Sequence, residues 1–289
     1  MHISNDVLDA VRTQGYEVME GFLTEAELAA ARAGLFQEFP HPNEYFADPE
    51  RHRHLVKHQF AGLRLGPFDS WPLTRLAFHP DLVDAAERFC GTAELELYKM
   101  ELWGKYSGTV DYDQAHHRDF VNHSMVVPRR DLRWPQLTTF TFLCDVTEEN
   151  GPTQVIPRTI GDRVPLVPNH LQPGELIDHE VAITGPAGSI LLYSTDVIHR
   201  GSAMTGTEQS RFMLLADYAA RGNPWMGKMS WPGLANKAAF ETLMVNTTVR
   251  ERDLFGFPPP GHEYWNTQTL SDVASRWPGI DLTSYGSTS

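Results

Sequence analysis

The chain is organised around the stretch AHHRDF, residues 115–120, in which His117 and Asp119 stand two residues apart. If this stretch is a β-strand, side chains at positions i and i+2 lie on the same face, so an imidazole and a carboxylate converge on one point. His116 would then face away from Asp119. Because the chain has thirteen histidines, a pair of this kind also arises by chance as a surface His beside an Asp, and the rest of the sequence has to support a site.

A metal site needs a third ligand, and the best candidate is His199, in the stretch DVIHRGS, residues 196–202. Two histidines and one carboxylate that leave coordination positions open form the facial triad of non-haem Fe(II) oxygenases. His117, Asp119 and His199 are therefore the candidate ligands if the chain holds such a site.

Composition limits the class of protein. With 289 residues, 41% hydrophobic and 21% charged, the chain is long enough for one large globular domain. The net charge of -13, with no dominant Lys/Arg cluster, argues against a nucleic-acid partner. We see no membrane-spanning apolar run and no secretory signal, and Cys90 and Cys144 fit reduced thiols. We therefore expect a cytoplasmic protein that acts on a small molecule; its oligomeric state is not indicated.

Residues 1–91 are predicted to be mostly helical. Ser4 is placed to cap a first helix, and Thr24 with Glu27 forms a capping box for a second. A third helix is expected from Asp81 to Cys90, where the following glycine ends it.

From Glu94 the hydrophobic period changes to two, and residues 94–103 are predicted to form a half-buried strand. Further strands are expected at 137–144, 154–156, 179–183, 189–193 and 211–219. Short strands separated by Gly, Pro and Asn turns favour an antiparallel sandwich or barrel over βαβ units. We expect one domain over residues 1–289: a helical part to 91, a β core over 92–220, and a C-terminal segment, 221–289, that packs back onto the core and could reach over its mouth.

Four signals follow one another in order: His117-x-Asp119, the stretch DVTEENGPTQVIP at 145–157, the stretch AGSILLY at 187–193 leading to His199, and Arg211 twelve residues beyond His199. Over roughly residues 5–220 this set resembles the phytanoyl-CoA dioxygenase family of Fe(II)/2-oxoglutarate oxygenases. Two positions depart from the usual pattern. Arg118 stands where the family usually has Gln, and Arg158 follows Ile-Pro where the family usually has Gly.

The resemblance implies a mainly β fold with flanking helices and a double-stranded β-helix core, the cupin-like jelly roll. It also implies Fe(II), 2-oxoglutarate and O₂ as cofactors, and hydroxylation of an unactivated C–H bond with release of succinate and CO₂. His117, Asp119 and His199 would bind the iron. Arg211 would bind the distal carboxylate of 2-oxoglutarate, a role that suits a guanidinium fork because it matches a carboxylate at two points.

Other contacts are expected near the cosubstrate. Lys105 stands where relatives often have Lys-Pro-Pro-Gly, and it would line the cosubstrate or substrate pocket or lie in a solvated loop. Thr139 and Thr141 share one face of a predicted strand, where they would bind 2-oxoglutarate or act simply as good strand formers.

Two alternatives to this enzyme class remain open. One is a cupin-like metalloenzyme that does not use 2-oxoglutarate, against which the position of Arg211 argues. The other is a catalytically silent binding protein on the same barrel, against which the intact triad argues. Since related halogenases replace the carboxylate ligand with a small residue, Asp119 predicts hydroxylation, desaturation or cyclisation. No basic patch suits the phosphates of CoA, which favours a free metabolite over an acyl-CoA as substrate.

Overall fold

Two antiparallel sheets face each other in the computed structural model, which describes residues 2–55, 62–108, 113–120, 128, 133–166, 171–172, 174–222, 231–234 and 237–286. The larger sheet has the order β1-β7-β4-β9-β3-β2, and the smaller has the order β6-β5-β8. The strands are β1 Tyr16–Met19, β2 Leu63–Leu65, β3 Leu95–Tyr106, β4 Gln136–Phe142, β5 Thr153–Val155, β6 Val181–Ile183, β7 Ile190–Ser194, β8 His199–Gly201 and β9 Ser210–Ala220.

Helices lie before and after this core and between some of its strands. They are α1 Asn5–Gln14, α2 Glu25–Glu38, α3 Pro42–Ala47, α4 Trp71–Arg75, α5 Pro80–Cys90, α6 Arg158–Gly161, α7 Trp231–Leu234, α8 Ala238–Asn246, α9 Val249–Asp253 and α10 Thr267–Arg276. Short 3₁₀ helices lie at Pro49–Leu55, Leu76–Phe78, Glu148–Asn150, Ile177–His179 and Thr283–Tyr285. No helix in the described part of the chain is both long enough and apolar enough to cross a membrane.

The two faces of the large sheet have different partners. On its inner face Phe140, Leu191 and Leu215 pack with Val155 and Ile183 of the small sheet. The residues between them point outward and pack against helices, because successive side chains of a strand alternate between faces. Leu214, Ala216 and Tyr218 belong to that outer cluster. The predicted fold class, a jelly roll with flanking helices, is confirmed.

The local helix signals of the N-terminal part are confirmed. Ser4 caps α1 by accepting a hydrogen bond from the Val7 amide at 3.4 Å. Thr24 and Glu27 form the capping box of α2. Helix α5 ends at Gly91, whose φ of 71° is left-handed and costs glycine little.

The N-terminal part also supplies both edges of the large sheet. Strand β1 pairs with β7, and β2 pairs with β3. Strand β2 was absent from the sequence prediction, because it is defined by its pairing with β3 and its three residues carry no strand signal of their own. Residues 1–91 are therefore part of the β core as well as its helical cover.

The described part of the C-terminal segment packs on the outer side of the large sheet. The Trp231 indole donates to the Leu97 carbonyl at 3.1 Å, and the Leu97 amide donates to the Leu254 carbonyl at 2.9 Å. Phe240 and Leu243 join the outer apolar cluster. These contacts lie on the outer side of the sheet, and a reach of the segment over the mouth of the core stays a prediction.

Candidate metal centre and its cavity

The two histidines of the predicted triad are joined through their backbones. His117 and His199 form an isolated antiparallel bridge, with both amide-to-carbonyl distances at 2.9 Å. The Nδ1 atom of His117 lies 2.9 Å from the Ala115 carbonyl, and that of His199 lies 3.1 Å from the Val197 carbonyl. A carbonyl can only accept, so each Nδ1 carries a hydrogen, which leaves Nε2 as the ring atom that can bind a metal.

Asp119 completes the cluster from the turn that follows His117. Its Oδ1 lies 3.7 Å from the His117 Nε2, and its Oδ2 lies 3.3 Å from the His199 Nε2. One ligand atom from each of the three residues lies within 4.8 Å of the others. The Tyr193 hydroxyl donates to the Asp119 Oδ2 at 2.9 Å. The predicted convergence is present, but a bridge and a turn produce it instead of a continuous strand.

The residues that flank His117 point away from this cluster. His116 is buried, with its Nε2 2.9 Å from the Glu180 Oε1. Arg118 is 1% exposed and donates at 2.9–3.2 Å to four backbone carbonyls, those of Asp196, Pro165, Gly161 and Val164. The second departure from the family pattern, Arg158, pairs with Asp196 at 2.6 Å. Both departures therefore hold the polypeptide beside the site and do not line the cavity.

The triad opens into a cavity of about 160 Å³ between the two sheets. Besides the triad, the lining residues are Lys99, Trp103, Gln114, Phe140, Thr153, Tyr193, Gly201, Arg211, Met213 and Leu215. Arg211 is 6% exposed and lies on β9. Four of the seven residues singled out in the sequence thus share one cavity.

Lys105 lies next to this cavity without lining it. It sits directly opposite Arg211 in the β3–β9 register. Its ammonium is buried and donates to the Ser202 carbonyl at 2.7 Å. It is therefore not the solvated loop lysine of one interpretation: it ties β3 to the segment that follows β8.

Thr139 and Thr141 lie on the other side of the sheet. Phe140, between them, lines the cavity, so alternation turns both threonines towards the helical layer. The Thr139 hydroxyl donates to the Ala216 carbonyl at 3.0 Å. Neither Thr139 nor Thr141 lines the cavity, and Thr138 is the threonine on the inner face. The sequence could not show this, because all seven residues of β4 are buried and no polar alternation marks the inner side.

Sequence reasoning missed a charged group on β3. The Lys99 ammonium lies 3.1 Å from the Glu101 Oε2, which also accepts from the Trp103 indole at 3.1 Å. Lys99 is opposite Asp217 across β3 and β9, and burial raises the pKa of Asp217 to about 8. Burial disfavours the charged form of Lys99, but Asp217 and Glu101 outweigh it, so the pKa of Lys99 is raised. The alternation of polar and apolar residues over 94–103 was evident in the sequence. Its polar residues near Lys99, however, face the inside of the fold and not solvent.

The donor set fits a divalent iron ion. Two imidazoles and one carboxylate would hold the metal and leave coordination positions for a chelating cosubstrate and O₂. Arg211 supplies a buried cation in the same cavity. A jelly roll with this triad defines the class of non-haem iron oxygenases.

The sequence profile of the phytanoyl-CoA dioxygenase (PhyH) family matches residues 11–213, and the chain belongs to that family. The resemblance seen in the sequence is confirmed. The family uses Fe(II), 2-oxoglutarate and O₂, and the chain is an Fe(II)/2-oxoglutarate-dependent oxygenase.

Solved structures share the fold. The epimerase SnoN, in complex with Fe³⁺, alpha-ketoglutarate and nogalamycin RO, has a TM-score of 0.52 and 22% identity over 75% of this chain and 83% of SnoN. EctD from S. alaskensis has a TM-score of 0.55 and 21% identity over 77% of this chain and 79% of EctD. The non-heme alpha-ketoglutarate-dependent carbocyclase SnoK has a TM-score of 0.55 and 19% identity over 82% of this chain and 91% of SnoK. No curated protein sequence is significantly similar to this chain.

Proposed function

We propose that this enzyme hydroxylates an unactivated C–H bond of a small-molecule metabolite and releases succinate and CO₂ from 2-oxoglutarate. The observation that carries the proposal is the presence of an intact triad and the buried Arg211 in one cavity. The carboxylate of Asp119 favours hydroxylation over halogenation, because halogenases of this kind lack that ligand.

In this proposal each residue has a defined role. His117 and His199 would hold the metal through Nε2, with their rings fixed by the Ala115 and Val197 carbonyls. Asp119 would be the third ligand, and Arg211 would bind the distal carboxylate of 2-oxoglutarate. The iron and the cosubstrate supply the oxidising chemistry.

The rest of the cavity wall is mainly apolar. Trp103, Phe140, Met213 and Leu215 line it beside the triad. Such a wall keeps bulk water away from the reacting atoms and strengthens the electrostatic contacts inside.

The test is an anaerobic titration of the metal-free protein with Fe(II) and then with 2-oxoglutarate, followed by the visible metal-to-ligand charge-transfer band. We expect the band in the wild type, its loss in His199→Ala and a weaker band in Arg211→Ala. Arg221→Ala is the matched control, because this arginine follows β9 and pairs with Asp253 outside the cavity. A screen of metabolites for succinate release and a gain of one oxygen atom then identifies the substrate.

Two results would contradict the proposal. Iron that binds without giving a band with 2-oxoglutarate would favour the cupin-like alternative. A protein that binds no Fe(II) would remove His117, Asp119 and His199 as metal ligands.

We also propose a cytoplasmic location. Its support is that Cys90 and Cys144 are both free thiols, as expected in a reducing compartment. Localisation of a fluorescent fusion of the chain in its host cell tests this.

A further inference from the structure

The cavity has two cationic ends. The inner faces of β3 and β9 pair Lys105 with Arg211 at one end and Lys99 with Asp217 at the other. The two pairs stand six residues apart, so they are separated by roughly 20 Å along the strands at about 3.3 Å per residue. We call them the Arg211 end and the Lys99 end.

The metal site is linked to both ends, through Asp119 to the Lys99 end and through the segment that follows His199 to the Arg211 end. Tyr193, whose hydroxyl binds Asp119, lies in the same row across the sheet as Asp217 and Lys99. Three residues beyond His199, the Ser202 carbonyl reaches Lys105 at the Arg211 end. If 2-oxoglutarate extends from the metal to Arg211, the space on the Lys99 side of the metal remains for the substrate.

The Lys99 ammonium is fixed by an ion pair and is still accessible from the cavity. Glu101 accepts from the Lys99 ammonium and from the Trp103 indole, and it lies behind them, itself 5% exposed and outside the cavity lining. The Lys99 side chain keeps 23% of its surface open and lines the cavity. An ammonium has three hydrogens to donate. Among the described lining residues the cations are Lys99 and Arg211, and the carboxylate is the metal ligand Asp119.

Apolar side chains also line the cavity that Lys99 faces. Trp103, Phe140 and Leu215 line the same cavity. On the edge strand β2, Leu63 stands opposite Trp103 and Leu65 opposite Glu101, and the two leucines are 42% and 43% exposed. Opposed residues of an antiparallel pair share a face, so the leucines continue the cavity wall to the edge of the sheet.

We propose that the Lys99 end is the substrate subsite and that the substrate is a carboxylate with an apolar ring or aliphatic body. The Lys99 ammonium binds the carboxylate, and the body lies along Trp103 and the exposed leucines of β2. This inference rests on the proposed function, because it places the substrate opposite 2-oxoglutarate.

The test uses enzyme loaded with Fe(II) and 2-oxoglutarate under anaerobic conditions. The probes are cyclohexanecarboxylate and its neutral analogue cyclohexanecarboxamide, and binding is followed by the change in the charge-transfer band. We expect the carboxylate to bind in the millimolar range that such a small ligand reaches, and at least about tenfold more tightly than the amide. Lys99→Met removes this preference and leaves the 2-oxoglutarate affinity unchanged. Lys99→Arg retains the preference, as does Lys237→Met, a control at an exposed position.

The outcomes separate this inference from the proposed function. Absence of the charge-transfer band would overturn the proposed function itself. A normal band with equal binding of the two probes, or with no binding of either up to about 20 mM, would overturn the substrate class alone. A preference that survives Lys99→Met would remove Lys99 from the subsite. A loss of 2-oxoglutarate affinity in that variant would assign Lys99 to the cosubstrate instead.

Discussion

Each metal-binding side chain is directed by a group that lies behind it. The two imidazoles are oriented by backbone carbonyls two residues earlier in the chain, at Ala115 and Val197. The Asp119 carboxylate is oriented by the Tyr193 hydroxyl. Such partners keep ligands in place before the metal arrives, and their loss commonly lowers metal affinity 10–100-fold.

Tyr193→Phe is therefore expected to weaken Fe(II) binding about tenfold while the chain remains folded, because only the hydrogen bond to Asp119 is lost. The measurement is the dissociation constant of Fe(II), taken from an anaerobic titration. We also expect a shift of the charge-transfer band with 2-oxoglutarate, since the carboxylate ligand becomes a stronger donor without this hydrogen bond.

Tyr218→Phe is the matched control for this variant. Tyr218 is equally buried and its hydroxyl donates to the Ala77 carbonyl at 2.6 Å, but it lies on the outer face of the sheet. It should lose a similar amount of stability and keep the Fe(II) affinity of the wild type. Equal Fe(II) affinities in Tyr193→Phe and the wild type would show that Tyr193 does not position Asp119.

The identities of the site residues could be predicted from the sequence, but the strand face on which each side chain lies could be predicted only in part. His117, Asp119, His199 and Arg211 were found by spacing and by the family pattern, and they share the cavity. Thr139 lies on the outer face of β4, one residue away from a position that faces the cavity. A strand that is buried on both faces does not show in its sequence which face lines the cavity.

The loop that carries Asp119 depends on one arginine. Arg118 links this loop to the end of α6 and to the turn after β7, through the four carbonyls that accept from its guanidinium. A buried carbonyl that loses its donor costs about 1–3 kcal/mol. A glutamine, the usual residue here in the family, has two N–H donors and cannot bond to all four carbonyls at once.

Arg118→Met is expected to lower the free energy of unfolding by about 2–4 kcal/mol. The loss is smaller than for four unsatisfied carbonyls, because some of the four accept hydrogen bonds from water in the variant. The substitution should also weaken Fe(II) binding, since the loop that holds Asp119 is less well fixed. Urea denaturation of the metal-free protein measures the first effect and metal titration measures the second.

Two further variants test whether the hydrogen bonds of the Arg118 guanidinium cause the loss of stability expected in Arg118→Met. Arg118→Lys should restore part of the stability, because an ammonium still donates to some of the carbonyls. Arg53→Met, which removes an exposed arginine paired with Glu50, should change the stability by less than about 1 kcal/mol. A loss as small in Arg118→Met as in Arg53→Met would contradict the role of Arg118.

Elements with strong local signals were predictable, and those defined by tertiary pairing were not. Helices α1, α2 and α5 carry their caps in the sequence. Strand β2 has only three residues and exists because it pairs with β3. The polar residues of β3 were expected to face solvent, but the strand is buried on both sides. A sequence does not distinguish polar residues that face a cavity from polar residues that face solvent.

Across the whole molecule, the larger sheet packs on apolar helices at its outer face and carries a group of buried charged side chains among apolar ones at its inner face. Its outer face carries the helices, and its inner face encloses Lys99, Glu101 and Asp217 beside the metal site. Burial raises the pKa of Glu101 as well as that of Asp217. The groups that face Asp217 are Lys99 and Glu101 on β3, Thr138 on β4 and Asp119 in the metal site. Such an interior should make the stability of the fold depend on pH.

The direction of that dependence follows from Asp217. Its pKa is about 8 in the folded chain and about 3.9 in an unfolded one. Between these values the unfolded chain has released the proton and the folded chain retains it, so the stability falls as pH rises from about 4 to about 8. The contribution is complete below the unfolded pKa and is lost above the folded one.

Asp217→Asn should remove this part of the pH dependence, because an amide has the shape of the protonated acid and does not ionise. The measurement is urea denaturation of the metal-free protein at pH 5, 6, 7 and 8. Relative to the variant, the wild type is expected to lose roughly 1.4 kcal/mol per pH unit between pH 5 and 7, and less per unit as pH approaches the folded pKa. Asp9→Asn, at an exposed position paired with Arg12, should keep the slope of the wild type. If Asp217→Asn and the wild type show the same slope, Asp217 is ionised in the folded chain, and Lys99 then faces a second full negative charge that would weaken its hold on a substrate carboxylate.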